Sequence, residues 1–216
     1  MKCKKLLLIG GGGHCKSVLD SILDNNDYID IGIIEKKEIC YGDILGISII
    51  GCDSELEYYY NNGYQFAFVT VGNIGNPKIR IKLYKLAYKI GFKIPNIIDS
   101  SACVSRFTNL GRGIFIGKQA VVNAGTSIGD CAIINTSSVI EHDCIIEEFV
   151  NVAPGAVVCG NVTVGRNSYI GAKSVIRQQL KIGSNTIIGM GSTVTKNIDS
   201  NVLAYGNPCR VINSKY

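Results

Sequence analysis

The sequence predicts a small α/β domain with a Rossmann-like parallel sheet over residues 1–97, followed by a left-handed parallel β-helix over residues 98–216. Three observations carry this expectation. From Ile98, a step of six lands on Ile, Leu or Val seventeen times in succession, through Val104, Leu110 and Ile116 and on to Ile188 and Val194. With 62 such residues among 216, that run has chance odds on the order of 10⁻⁹, so the period is real. Glycine follows many of these anchors directly, and the fourth residue after most of them is small, as at Ala120, Thr126, Ala132, Ser138 and Cys144. Ahead of the repeat, short apolar runs alternate with amphipathic stretches, the pattern of a parallel sheet crossed by helices.

Taken in order, Lys4–Ile9 reads as a buried strand, Gly10–Gly13 as a tight turn and Cys15–Leu23 as an amphipathic helix. Ile31–Glu35 is a second strand, Ser54–Tyr60 a short helix, Phe66–Val71 a strand stopping at Gly72-Asn73, and Pro77–Ile90 a helix. Ligands of such a sheet are expected at the carboxyl ends of its strands. A period of six suits neither a free-standing helix nor a hairpin. It suits short strands joined by tight corners, with the anchor inward and the small residue beside it. Three hexads per coil give about five and a half coils.

Composition excludes several classes. Apolar residues make up 46% and charged residues 18%, which argues against a disordered or fibrous chain. The net charge of +5 is spread, with 12 basic and 10 acidic side chains in residues 1–97 and 10 and 7 in the rest. No basic run is long enough for a nucleic-acid or membrane footprint. Nine cysteines, with no C-x-x-C pair, fit reduced thiols better than a disulfide framework or a zinc finger. The opening Met1-Lys-Cys-Lys-Lys followed by Leu6–Ile9 imitates a leader, but its apolar run stops after four residues, short of the roughly 7–15 required. A cytoplasmic protein without nucleic-acid or membrane partners is expected.

Gly10-Gly11-Gly12-Gly13-His14 follows a strand and opens a helix. Glycines let the backbone approach a ligand, and free N–H groups at a helix start attract an anion such as pyrophosphate. The spacing is not that of an ATP-hydrolysing loop. Glu35 ends the next strand, where an acid can bind a ribose. Only two histidines exist, so a three-histidine zinc site cannot be built and no metal is expected. His142 lies in Ile140-Glu-His-Asp143 on the outside of a hexad, with Asn135 one hexad earlier. An imidazole held by a carboxylate is the usual general base for an amine or hydroxyl. Cys144 and Cys159 read as small packing residues rather than nucleophiles.

Residues 134–161, INTSSVIEHDCIIEEFVNVAPGAVVCGN, together with LLLIGGGGH, Val71-Gly-Asn73 and Gly206-Asn-Pro-Cys-Arg210, resemble bacterial nucleotide-sugar acetyltransferases of the sialic acid O-acetyltransferase and UDP-N-acetylbacillosamine N-acetyltransferase type. The resemblance covers essentially the whole chain. It implies that the first domain binds a nucleotide-sugar, that the β-helix binds acetyl-CoA, and that a homotrimer places its active sites between adjacent β-helices. By the same resemblance His142 is the general base and Asp143, where relatives often have Glu, supports it. Gly12, Gly13, His14, Glu35 and Gly72, with Asn135, fall to the nucleotide-sugar. Asn151, where some relatives have a histidine, falls with Gly171, Ala172 and Met190 to acetyl-CoA.

The expected reaction is acetyl transfer to the amine of a UDP-linked 4-amino-sugar by direct attack, with a backbone N–H stabilising the oxyanion. O-acetylation of sialic acid, or N-acetylation of a GDP-linked amino-sugar, is the alternative within the fold. A non-catalytic oligomerisation scaffold is the alternative outside it.

Overall fold

The computed structural model describes residues 4–25, 27–39 and 41–214. Met1–Cys3, which open the leader-like segment, lie outside the described residues, as do Asn26, Cys40 and Lys215–Tyr216. The chain forms two compact units. One holds the residues up to Asn73 together with Lys78–Ile97, and the other holds Ile74–Pro77 and the chain from Ile98 onward.

In the first unit, strand β1 (Lys5–Ile9) lies between β2 (Asp30–Glu35) and β5 (Phe66–Val69), parallel to both. Its Leu6–Ile9 run is fully buried, the continuous apolar pattern of a strand covered on both faces. Helix α1 (Gly13–Asn25) turns Cys15, Val18, Leu19 and Ile22 inward, the spacing of a single apolar stripe. It is longer at both ends than the apolar stripe alone indicates. Helices α2 (Leu56–Asn61) and α3 (Lys78–Ile90) complete the unit.

Two strands here have no counterpart in the sequence reading. β4 (Ile47–Cys52) extends the sheet beyond β2 in parallel, and β3 (Asp43–Ile44) folds back on β4 as a hairpin. The turn between them carries Leu45 at φ 51° and Gly46 at φ 79°. Such mirror-image turns are usually announced by Asn-Gly or Asp-Gly. Here Asp43 Oδ1 accepts the Gly46 N–H at 3.2 Å instead, a signal displaced by two residues.

The second unit is a parallel β-helix of seventeen two-residue strands, from β6 (Ile97–Ile98) to β22 (Thr193–Val194), one every six residues. The second residue of each strand is the aliphatic anchor of the repeat. Every strand up to β19 (Val175–Ile176) pairs with the one eighteen residues on, as in Val139↔Val157 and Ile140↔Val158, so three sheets run along the helix. All anchors from Ile116 to Val194 are at most 2% exposed, and Ile98, Val104 and Leu110 at the first coil are partly buried. Each fully buried anchor contributes roughly 1.5–3 kcal/mol by leaving water.

The small residues beside the anchors fill the corners and close them. Ser168 Oγ donates to Gly183 O at 2.8 Å and accepts the Thr186 N–H at 3.0 Å, and Thr126 does the same one face away. The glycines directly after the anchors answer to close approach. A Cβ on Gly129 would lie 2.7 Å from Glu148 N, and one on Gly165 would lie 2.6 Å from Ser184 N, both backbone atoms of the next coil. The third residue after most anchors adopts left-handed backbone, at Gln119, Cys131, Ser137, Asp143 and Asn161 among others. A hairpin of β23 (Val202–Gly206) and β24 (Cys209–Ser214), turning through a cis Asn207–Pro208 bond, continues the sheet beside β21 (Ile187–Ile188).

Candidate active site

In the first unit the sheet order is β3-β4-β2-β1-β5. The chain leaves β1 to form neighbours on both of its sides, and the carboxyl end of β1 is therefore the crevice where such sheets bind ligands. Gly10–Gly13 occupy it. Gly10 N–H donates to Ile34 O at 2.8 Å, Thr70 N–H to Ile9 O at 2.9 Å, and Thr70 Oγ1 to Gly10 O. Gly11 N–H donates to Glu35 Oε2 at 2.5 Å, and the other Glu35 oxygen accepts the Lys36 N–H at 2.9 Å. Glu35 thus holds the turn from the end of β2. A Cβ on Gly11 would meet that carboxylate at 2.9 Å, whereas above Gly12 and Gly13 nothing lies within 4 Å.

His14 sits in the first turn of α1, against Gly72, whose Cβ would come within 3.3 Å of His14 Cβ. Burial, and then the Arg80 guanidinium, push the imidazole down to about 3, so it is neutral near pH 7. Arg80 is itself only 2% exposed, and its Nη1 donates to Asn73 Oδ1 at 3.1 Å. The structure therefore brings Gly12, Gly13, His14, Glu35 and Gly72 together around one helix start. It adds Thr70, Arg80 and Asp53, which the sequence does not single out, and Asn73, which it marks only as part of Val71-Gly-Asn73. Asp53 has its carboxyl pushed up by burial and by the charge of Glu35. The pairing of β1 with β5 brings in Thr70 and Asn73, that of β2 with β4 brings in Asp53, and the return of α3 brings in Arg80.

In the second unit, His142 and Asp143 form a corner between β13 (Val139–Ile140) and β14 (Ile145–Ile146). His142 Nδ1 lies 2.9 Å from Asp143 Oδ2, and the two side chains are 63% and 65% exposed, open to a substrate. The corner is closed from inside by Thr126, whose Oγ1 donates to Glu141 O at 2.8 Å and accepts the Cys144 N–H at 3.3 Å. Cys144 is buried and donates its thiol to Cys159 O at 3.2 Å. Burial pushes both the Cys144 and Cys159 thiols up, away from thiolate character. The seven described cysteines are all free thiols, and Cys3 and Cys40 lie outside the described residues.

The other candidate residues are not beside His142. One hexad is one face of the coil, so Asn135, one hexad before, stands at a different corner. Gly171, Ala172 and Met190 follow the same edge as Asn135, and Asn151 begins β15 (Asn151–Val152) on the sheet leading into it. Met190 is 81% exposed. Gly171 has a reason to be glycine in the coil itself: its Cβ would meet the backbone of Gly189 and Met190. Between the two edges runs the outward face of one sheet, where Val121, Val139, Val157 and Val175 form an apolar stripe in register.

Both units match known families. The PglD N-terminal domain model matches residues 5–87, and the bacterial transferase hexapeptide model (six repeats) matches residues 143–178 and 161–196. The chain is 35% identical over 142 residues to GDP-perosamine N-acetyltransferase of Escherichia coli O157:H7, covering 63% of this chain and 64% of that protein, just under two thirds of its length. It is similar to a variant of perosamine N-acetyltransferase from Caulobacter crescentus, solved in complex with CoA and GDP-perosamine, at 31% identity over 98% of both chains and a TM-score of 0.92. It is also similar to the acetyltransferase domain of PglB from Neisseria gonorrhoeae FA1090, solved with acetyl coenzyme A, at 32% identity, 98% coverage of this chain, 100% of that chain and a TM-score of 0.91. Among the described residues no helix is long and apolar enough to cross a membrane. With a matching α/β sheet, a matching coil and whole-length likeness to these proteins, the chain belongs to the hexapeptide-repeat sugar acyltransferases that carry a PglD-type N-terminal domain.

Proposed function

We propose that the protein transfers the acetyl group of acetyl-CoA to the amine of a 4-amino-sugar linked to a nucleoside diphosphate, with His142 as general base. The observation that carries this reading is the exposed His142–Asp143 pair, set by a rigid corner and flanked by packing residues that cannot compete as nucleophiles. With Nδ1–H donating to Asp143, Nε2 holds the lone pair that takes the amine proton. The amine attacks the thioester carbon directly, the tetrahedral oxyanion collapses, and CoA leaves as the thiol. A backbone N–H of the coil is the donor expected for that oxyanion. General-base help of this kind is worth about 10²–10⁴ in rate.

The open N–H groups of Gly12 and Gly13 at the start of α1 suit the diphosphate, with Glu35 and the neutral His14 beside them. Asn135, Asn151, Gly171, Ala172 and Met190 would hold acetyl-CoA and sugar from the edge that His142 does not share. A homotrimer reconciles these two edges, because the edge of one copy then meets the His142 corner of the next, with the valine stripe covered between them. The reading is of a cytoplasmic enzyme acting on an activated sugar.

The resemblance in the sequence favours a UDP-linked acceptor. The likeness to proteins named for GDP-perosamine favours a GDP-linked one. A thiol-release assay with acetyl-CoA against UDP- and GDP-linked 4-amino-sugars and free sialic acid separates them. Turnover with one amino-sugar nucleotide supports the proposal and names the base. Turnover with sialic acid alone moves the protein to O-acetylation. Acetyl-CoA that neither binds nor reacts would return it to a scaffold.

A further inference from the structure

Most glycines in this coil have one of two causes: a left-handed corner, as at Gly125, Gly155 and Gly191, or a backbone of the next coil too close for a Cβ, as at Gly129 and Gly165, while Gly189 lies against the Tyr205 side chain. Gly160 has neither. Its φ lies outside the left-handed region. The three heavy atoms nearest to a Cβ built on it all belong to one imidazole: His142 Nε2 at 2.6 Å, Cε1 at 2.7 Å and Cδ2 at 3.2 Å. Gly160 stands one coil above His142 at the same corner position. Of the seventeen residues that stand second after an anchor, from Ser100 to Lys196, it is the one glycine; others are Arg112, Lys118, Arg166, Gln178 and Met190.

The backbone around Gly160 is pinned. Cys159 N–H donates to Ile176 O at 3.1 Å, Asn161 N–H to His142 O at 2.9 Å, and Gln179 N–H to Gly160 O at 3.0 Å. A methyl there would move the ring rather than the chain. Below the pair, a Cβ on Gly125 would strike Asp143 Oδ1, and Asp143 N–H is tied to Ala124 O at 3.1 Å. The carboxylate and the imidazole are thus confined between two bare Cα atoms, one coil below and one coil above.

We infer that Gly160 is a positioning residue for catalysis: its missing side chain is the seat on which the His142 ring lies, and it sets where Nε2 points while Nδ1 stays on Asp143. Gly125 provides the matching space for Asp143. The inference rests on the proposed reading of His142 as the base. Carbon contacts settle near 3.5–4.0 Å, so Gly160→Ala displaces the ring by about 1 Å, a misplacement that can cost about a hundredfold in rate.

The test is a double-mutant cycle of wild type, Gly160→Ala, His142→Ala and the double variant, with kcat, both KM values, acetyl-CoA binding by calorimetry and the thermal midpoint measured for each. Alanine suits the Gly160 backbone, so the midpoint is expected to hold. Gly160→Ala is expected to lower kcat about tenfold to a hundredfold, to leave both KM values within about twofold, and to cost nothing further in the His142→Ala background. An unchanged kcat in Gly160→Ala, or the same loss in both backgrounds, overturns the positioning role while leaving His142 as base. An unimpaired His142→Ala would instead remove the base itself.

Discussion

His142 Nδ1 and Asp143 Oδ2 stand 2.9 Å apart although the two residues are consecutive in the chain. Side chains of neighbouring residues in a strand point to opposite faces. Asp143 escapes this because its φ of 59° is left-handed, which swings its carboxylate back over the preceding ring. The contact is a product of the corner. If the pair is the base and its support, His142→Ala lowers kcat by about 10²–10⁴ with acetyl-CoA binding nearly intact. Asp143→Asn, which keeps the shape and removes the charge, falls between that variant and wild type. Steady-state rates and calorimetry check both, and full activity in His142→Ala would refute the assignment.

Gly12 and Gly13 face open space at the start of α1, so a side chain there strikes nothing in the chain itself. Gly13→Val is therefore expected to fold normally and to raise KM for the nucleotide-sugar, leaving KM for acetyl-CoA alone. An unchanged nucleotide-sugar KM would take the glycine turn out of the binding site.

Thr126 is fully buried and its hydroxyl serves both ends of the His142 corner, Glu141 O and Cys144 N. Thr126→Val keeps the volume and leaves those two groups unsatisfied. A loss of about 1–3 kcal/mol in unfolding free energy is expected, measured by denaturant titration. A variant as stable as wild type would mean that water or a neighbour replaces the hydroxyl.

His14 gives the stability a pH dependence whose sign is fixed. Its ordinary value of 6.5 is lowered to about 3 in the folded chain. Between those two values the unfolded chain binds a proton that the folded chain refuses, so stability is full above the unfolded value and is lost as pH falls toward the folded one. The thermal midpoint is expected to drop between about pH 7 and pH 5, and His14→Asn to flatten that drop. An equal slope in the variant would show that His14 takes up its proton without cost.

The coil is legible in the sequence because its restraint is local and repeated. Each anchor from Ile116 to Val194 faces one interior and must be aliphatic, so a step of six reveals strand, corner and register together. The first sheet is legible where burial is two-sided, as at Leu6–Ile9, and silent at β3 and β4, where Asp43 replaces the usual turn signal with a side-chain hydrogen bond. The His142–Asp143 contact could be anticipated because the two residues are adjacent, whereas the hydrogen bond from Gly11 to Glu35, read in the sequence as a ribose-binding acid, joins residues 24 apart. What only the tertiary structure decided are relations between coils and between strands. Gly160 against the His142 ring, Gly125 against Asp143, Thr126 across the corner, Arg80 behind His14, and the separation of Asn135 from His142 all follow from which chain segments the hydrogen-bonded ladder lays side by side. A sequence records the residue at each position, but the contacts between positions eighteen or sixty apart exist only once burial of the anchors has set the register.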